Sequence, residues 1–370
     1  MLTNARRTGA LLVVISCALA SCSSADPAEN TRTVTPSAPA ASATPGPTGS
    51  HPSFGSTVVT GLDVPWGLAF LPDRSALVTQ RDQRSVLHLR AGVQPRTVAT
   101  VSDARPDQEG GLLGIAVSPE FATDKRVFVY YTAAGDNRVE RMKWTGSTLK
   151  SDKVILSGIP KASFHNGGRL AFGPDNQLYV TTGDAGVPSR APDIENLGGK
   201  ILRITQDGKA ATGNPISGSR VWSYGHRNVQ GIAWDDDRRM YATEFGQNTF
   251  DELNLITPGK NYGWPTVEGK ANRRGFIDPL VQWRTSESSP SGLAINGDNA
   301  YVAALAGQRV WQVPLRDGKA GTPARASMPA LGRVRTVHVD PSGALWVMSN
   351  NTFRGDARDG DDRIIRWEPK

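Results

Sequence analysis

Apolar and polar positions in this chain alternate in short bursts, without helical spacing. One pattern recurs. A leading residue, usually Gly, opens an apolar-small-apolar strand; a Pro/Asp/Gly/Asn turn follows, then a second strand of β-formers. The instances are Gly67-Leu-Ala-Phe then Ala76-Leu-Val-Thr, Gly114-Ile-Ala-Val then Val127-Phe-Val-Tyr, and Arg169-Leu-Ala-Phe then Leu178-Tyr-Val-Thr. They continue as Gly231-Ile-Ala-Trp then Met240-Tyr-Ala-Thr, Gly292-Leu-Ala-Ile then Ala300-Tyr-Val-Ala, and Thr336-Val-His-Val then Ala344-Leu-Trp-Val. The spacings are 47, 55, 62, 61 and 44 residues. A third strand follows each pair: Val86-Leu-His-Leu, Val139-Glu-Arg-Met, Lys200-Ile-Leu-Arg-Ile, Glu252-Leu-Asn-Leu-Ile, Arg309-Val-Trp-Gln-Val and Arg363-Ile-Ile-Arg-Trp. Irregular repeats of short strands with turn residues between them predict an all-β chain, a six-bladed β-propeller. Ser56-Thr-Val-Val-Thr is placed to supply the missing strand of the last blade and close the ring. Two stacked β-sandwiches are the competing architecture, but sandwiches impose no single repeat on a whole chain.

The first 53 residues do not follow this pattern. Arg6 and Arg7 precede an apolar stretch, Ala10 to Ala20, too short to span a bilayer and suited to a secretory signal. It ends in Leu19-Ala20-Ser21-Cys22, which resembles a bacterial lipoprotein box, with Val14-Ile15-Ser16-Cys17 a weaker second one. Residues 1–22 are therefore expected to be a lipoprotein signal ending at an acylated Cys22, rather than an ordinary signal cut nearby. Residues 23–53 are Ser, Thr, Ala and Pro with almost no large apolar side chain, and read as a disordered tether. Residues 54–370 form the propeller. The expected location is extracytoplasmic, with membrane contact only through the N-terminal lipid.

Composition narrows the chemistry. Cys17 and Cys22 are the only cysteines, so the body has no disulfide, thiol nucleophile or Cys–metal site. The formal charge is +7, about +5 once Arg6 and Arg7 are removed, and no Lys/Arg run marks a nucleic-acid face. Dinucleotide and phosphate-loop glycine motifs, a zinc-protease helix motif and a Gly-x-Ser-x-Gly elbow are absent.

In a propeller, function sits in the loops at one end of the axial channel, so polar groups that interrupt the repeat are the candidates. His165-Asn-Gly-Gly-Arg169 precedes the third inner strand; His165 suits a general base, or equally a satisfied turn histidine. Tyr224-Gly-His-Arg-Asn228 occupies nearly the same place before the fourth; Arg227 there suits an anion, or plain bonding to loop carbonyls. Glu244-Phe-Gly-Gln-Asn248 with Asp251 and Glu252 offers oxygens to a hard cation, or forms a solvated acidic turn. Arg333 and Arg335, two apart before the last inner strand, are able to address one anion from the same face, or are simply solvated at the surface. Glu109-Gly-Gly111 interrupts the repeat before the second.

Together these segments resemble the soluble quinoprotein glucose/sorbosone dehydrogenases, including the aldose sugar dehydrogenases. The resemblance runs from about Gly61 to Trp367. It is carried by Glu109-Gly-Gly-Leu-Leu-Gly, His165-Asn-Gly-Gly-Arg-Leu-Ala-Phe-Gly-Pro-Asp, Thr181-Thr-Gly-Asp184, Tyr224-Gly-His-Arg-Asn-Val-Gln-Gly, Asp251-Glu-Leu-Asn-Leu-Ile, Asn261-Tyr-Gly-Trp-Pro, Arg333-Val-Arg and Gly360-Asp-Asp-Arg-Ile. It implies a six-bladed propeller that binds pyrroloquinoline quinone (PQQ) and Ca2+. By that resemblance His165 is the base that takes the anomeric proton while a hydride passes to the quinone, Asp184 orients it, and Arg227 stabilises charge on the reduced quinone. Glu109, Asn228, Arg333 and Arg335 fall at cofactor-contact positions. Backbone oxygens of Gly246 and Gln247 hold the cofactor's calcium, and Asp251, Glu252 and Tyr262 match a second calcium region.

The chain departs from the family pattern in four places. Glu109 stands where Gln is frequent, Gln247 where Pro is frequent and Thr336 where Asp is common, and Ala304-Leu-Ala-Gly-Gln308 lacks a Lys that some members carry. Glu109 is able to repel an anionic cofactor or to take a proton near it. The expected activity is oxidation of an aldose to its lactone, with electrons passed to a quinone- or dye-like acceptor. The rival readings are a non-catalytic propeller that binds glycan or protein at the same mouth, and a calcium-dependent lactonase-like hydrolase.

Overall fold

The computed structural model describes residues 55–369. The lipoprotein signal, Cys22 and the tether lie outside the described residues. The described chain is almost entirely strand, with one short α-helix, Phe121–Asp124, and one 3-10 turn, Pro188–Arg190.

Six antiparallel sheets follow one another along the chain. Blade I runs Pro65–Phe70, Ala76–Gln80, Ser85–Arg90 and Val93–Thr100. Blade II runs Leu112–Val117, Arg126–Thr132, Asn137–Trp144 and Leu149–Ile159. Blade III runs Leu170–Phe172, Leu178–Thr181, Lys200–Ile204 and Val221–Tyr224. Blade IV runs Val229–Trp234, Met240–Glu244, Phe250–Ile256 and Val281–Arg284. Blade V runs Pro290–Asn296, Asn299–Ala304 and Arg309–Arg316, whose outer edge pairs with Lys319–Ala320 and Ala324–Arg325. Blade VI runs Val334–Val339, Leu345–Ser349 and Ile364–Trp367.

The outer strand of blade VI is Thr57–Val59, paired through Thr57 with Ile365 and Val59 with Ile364. The start and end of the propeller chain therefore share one sheet. Opening the ring requires breaking a ladder, which protects what would otherwise be two loose edges.

The leading glycine of the repeat has a steric cause. Inner strands of successive blades touch around the axis, backbone against backbone. A Cβ on Gly114 would collide with the Gly168 carbonyl, and one on Gly231 with that of Ser291. In blades I and IV a threonine of the second strand completes the seam. Thr79 Oγ1 donates to Leu113 O, and Thr243 Oγ1 to Ser291 O, each at 2.6 Å. Between blades the core is apolar: Val86, Leu112, Val127, Val129 and Tyr131 fill one wedge, Tyr241, Leu253, Val302 and Val313 another. Segments that precede the inner strands thus converge at one end of the channel, and the strands' C-terminal ends frame the other.

Candidate functional site

His165 sits on the loop before blade III with φ 56°, a left-handed turn that Gly167 at φ 61° continues. Its ring is fixed by Asp184, whose Oδ1 accepts the Nδ1 proton at 2.7 Å. Asp184 is 1% exposed. Its Oδ1 also accepts Gly186 N–H and its Oδ2 accepts Trp264 Nε1–H, both at 2.8 Å. Burial pushes the Asp184 carboxyl up, but the bonds from His165, Gly186 and Trp264 overcome it and leave it below the ordinary value. An ionised Asp184 demands the Nδ1–H tautomer. Nε2 then keeps its lone pair, and it has no partner among the described residues.

The loop from Gly183 to Gly199 is pinned from below by Lys200. Its buried ammonium donates to the carbonyls of Arg190, Ala191 and Gly198 at 2.7, 2.9 and 2.6 Å. Desolvation brings its pKa down to about 7, opposed by Asp193. Asn228 closes the other side. Its Oδ1 accepts Gly167 N–H at 3.0 Å, so this expected cofactor contact also positions the His165 loop.

Arg227 lies over the Trp264 ring, 5.6 Å from its centroid. It donates from Nε to Gln247 Oε1 at 2.9 Å and from Nη1 to Phe245 O at 3.2 Å. Its own N–H is held by Glu244. Neighbouring His226 is a different case: it is fully buried between Glu244 and Ser223, each 2.8 Å away, and stacks on Tyr262. It is a satisfied core histidine.

Arg335 is 5% exposed, and bonds only to neutral groups: Gln230 Oε1 at 2.8 Å, Ser291 Oγ at 3.4 Å and Asn350 Oδ1 at 3.0 Å. Desolvation holds its pKa well below the usual guanidinium range, with Arg81 and Arg333 adding to the effect. Burial lowers Arg333 too, with Arg354 adding and Glu109 opposing. The Nε atoms of Arg333 and Arg335 are buried without a hydrogen-bond partner. Orphaned donors on crowded cations mark a place prepared for an anion.

Glu109 is the acidic member of this mouth. Its Oε2 accepts His165 N–H at 3.3 Å and its Oε1 accepts Arg354 Nη1 at 3.1 Å. Its charge acts on Arg227, Arg333 and Arg335 together, which ties the four to one mouth. The repulsion expected of a carboxylate here is offset by Arg354, a residue the sequence did not single out.

The acidic loop is built differently from a carboxylate cage. Glu268 Oε1 accepts four backbone N–H groups, from Gln247 to Phe250, at 2.7 to 3.1 Å. Asp251 accepts Gly246 N–H at 2.9 Å and Ser289 N–H at 2.6 Å, and burial raises it to about 7. These bonds turn the backbone so that the Gly246 and Gln247 carbonyls accept no hydrogen bond among the described residues. Glu252 faces Glu244 directly across the sheet, and burial with that neighbour lifts it to about 8. The Tyr262 hydroxyl donates to Leu255 O and accepts Thr257 N–H, both at 2.7 Å. Among the described residues no three His, Asp or Glu side chains converge as a metal cage. Asp251 and Glu252 each accept two hydrogen bonds, Glu252 from Asn254 Nδ2 and Gly269 N–H, while the Gly246 and Gln247 carbonyls accept none among the described residues.

Sequence reasoning passed over Trp264, Glu268, Arg354 and Lys200, and read Glu244 only as a candidate cation oxygen. Trp264 had a signal, the Asn261-Tyr-Gly-Trp-Pro segment; Arg354 reaches Glu109 from a distant loop, Glu268 bonds to amides about twenty residues earlier, and Lys200 pins the loop just before its own strand.

The fold and mouth define a class: a propeller with a His–Asp pair beside an anion-accepting cluster of guanidiniums. Residues 62–356 match the family model for glucose/sorbosone dehydrogenase, and the chain belongs to that family of oxidoreductases. It is 48% identical to the PQQ-bound aldose sugar dehydrogenase of Streptomyces coelicolor, with a TM-score of 0.83 over 86% of this chain and 98% of that one. It is 29% identical to an aldose sugar dehydrogenase of Escherichia coli over 79% of this chain and 88% of the other. It is 30% identical to quinoprotein glucose dehydrogenase B of Acinetobacter calcoaceticus over 59% of this chain and 54% of that one.

Proposed function

We propose that the protein oxidises the anomeric hydroxyl of aldose sugars to the lactone, with PQQ and Ca2+ bound at this mouth. The observation that carries the reading is the pairing of an oriented, unpartnered His165 Nε2 with buried guanidiniums that lack a counter-ion. The residues present fit both groups. Arg333, Arg335, Arg227 and the Nδ2 of Asn228 suit the carboxylates of a flat polyanion, and the Gly246 and Gln247 carbonyls suit a hard cation. When bound, PQQ supplies the two-electron acceptor that receives the anomeric hydride.

The protein's own part is proton handling and charge. His165 Nε2 takes the anomeric hydroxyl proton. Asp184 stabilises the imidazolium that results and keeps the ring from turning. Arg227, stacked on Trp264, faces negative charge that develops at the mouth. The Arg354–Glu109 pair keeps the carboxylate that accepts the His165 N–H from opposing an anionic cofactor. A lipid anchor at Cys22 would hold this mouth outside the cytoplasm, where a membrane or diffusible acceptor collects the electrons.

The test is reconstitution of purified protein with PQQ and Ca2+, followed by dye reduction with a panel of aldoses. Turnover that needs both additions supports the reading. No turnover with any aldose, despite stoichiometric PQQ uptake, would overturn it in favour of a binding propeller. Arg335→Gln is expected to weaken PQQ uptake at least tenfold.

A further inference from the structure

The channel has a second end. There each inner strand carries a partly exposed apolar side chain at or next to its last position: Phe70, Val117, Phe172, Trp234, Ile295 and Val339. These frame a cavity of about 470 Å3, opposite the loops that carry His165. Its inner boundary includes Arg169 and Thr336.

Arg169 is 9% exposed. Its side chain crosses the channel, donating from Nε to Gln230 O at 2.8 Å and from Nη2 to Thr336 Oγ1 at 3.3 Å. The guanidinium carbon lies 4.3 Å from the centroid of Trp66, a ring that Arg335 also approaches at 5.8 Å. Its Nη1 has no hydrogen-bond partner among the described residues, and no carboxylate there forms an ion pair with it. The nearest charged groups do not serve. Asp340 is engaged by Arg366, Ser342 and Trp346, and His338 is bonded to Val339 O and held neutral by burial. Desolvation brings Arg169 down to about 9 with no opposing carboxylate. A buried cation without a counter-ion is costly, and here it borders a cavity lined mostly by apolar side chains, with His338 and Asp340 also on its wall.

We propose that this distal cavity is a second binding site, for a small amphipathic carboxylate whose head meets Arg169 Nη1 and whose apolar body packs against Phe70, Phe172 and Trp234. One free guanidinium nitrogen suits a single anionic head. The apolar ring excludes a bare inorganic anion as the natural occupant, since it would leave those side chains wet. A cavity of about 150 Å3 holds benzene, so the space here, about three times as large, accepts a body of six carbons or more. The site is independent of the cofactor reading and lies at the other end of the channel.

The experiment is calorimetric titration of the full chain with hexanoate and with hexanol, its uncharged counterpart. Wild type is expected to bind hexanoate at least tenfold more tightly than hexanol. Arg169→Gln is expected to abolish that difference while hexanol still binds, a result that misfolding does not produce. Ala171→Phe, which fills the cavity, is expected to weaken both ligands, and Arg333→Gln at the cofactor mouth to change neither. The proposal is overturned if hexanoate binding is lost in Arg333→Gln but kept in Arg169→Gln and Ala171→Phe, or if millimolar hexanoate does not bind wild type.

Discussion

Asp184 holds His165 from one side and Trp264 from the other: its two carboxylate oxygens accept His165 Nδ1–H at 2.7 Å and Trp264 Nε1–H at 2.8 Å. The indole lies in turn against Arg227. One buried carboxylate therefore sets the tautomer of the base and the placement of the ring under the nearest cation.

Asp184→Asn keeps the size but offers an amide that is able to donate to Nδ1, which moves the proton to Nε2. The loaded enzyme's kcat is expected to fall about 100-fold or more with KM little changed. Steady-state kinetics on the reconstituted variant, alongside its PQQ stoichiometry, checks this.

The same carboxylate links stability to pH. Its folded pKa lies below the ordinary value of about 4, so its contribution is fully present above that value and is lost as pH falls through the folded one. The melting-temperature gap between wild type and Asp184→Asn is expected to hold from pH 7 to about 5 and to shrink below about pH 4. Melting curves of the unloaded proteins over that range are the measurement.

Arg354 is half-exposed and Glu109 partly exposed, so their pair contributes at most about 1 kcal/mol to folding. Its effect is expected on cofactor binding instead. Arg354→Ala is expected to weaken PQQ binding several-fold by leaving Glu109 uncompensated, and Glu109→Gln to restore it in the double variant. A double-mutant cycle on the PQQ dissociation constant, at two salt concentrations, shows whether the two act as a unit.

Glu268 arranges the Gly246–Gln247 carbonyls through four amide bonds. Glu268→Ala is expected to speed hydrogen exchange at Gln247 to Phe250 and to lower calcium affinity at least tenfold, with Glu268→Gln milder because an oxygen acceptor remains. Exchange mass spectrometry and calcium titration report the two effects separately.

The blades were legible because each is a local event: apolar strand, turn, second strand, with a glycine wherever neighbouring backbones meet. Even ring closure by Ser56 to Thr60 followed from an unfilled strand position. His165, Arg227 and Arg335 were legible as interruptions of that repeat. What the repeat conceals is contact between loops of different blades. Arg354 reaches Glu109 across 245 residues and Trp264 reaches Asp184 across 80, with no periodicity to announce either. Residue type says less at Asp251 and Tyr262: both are candidate cation ligands, and both also bond to backbone groups, which their residue type does not announce.

The central claim is that His165 is the base at a mouth that other residues build. It is tested most directly by comparing wild type and His165→Ala, both loaded with PQQ and Ca2+, in aldose-dependent dye reduction with bound cofactor quantified by absorbance. The account predicts unchanged cofactor stoichiometry and turnover lowered at least 100-fold. Turnover equal to wild type at equal cofactor loading would contradict it.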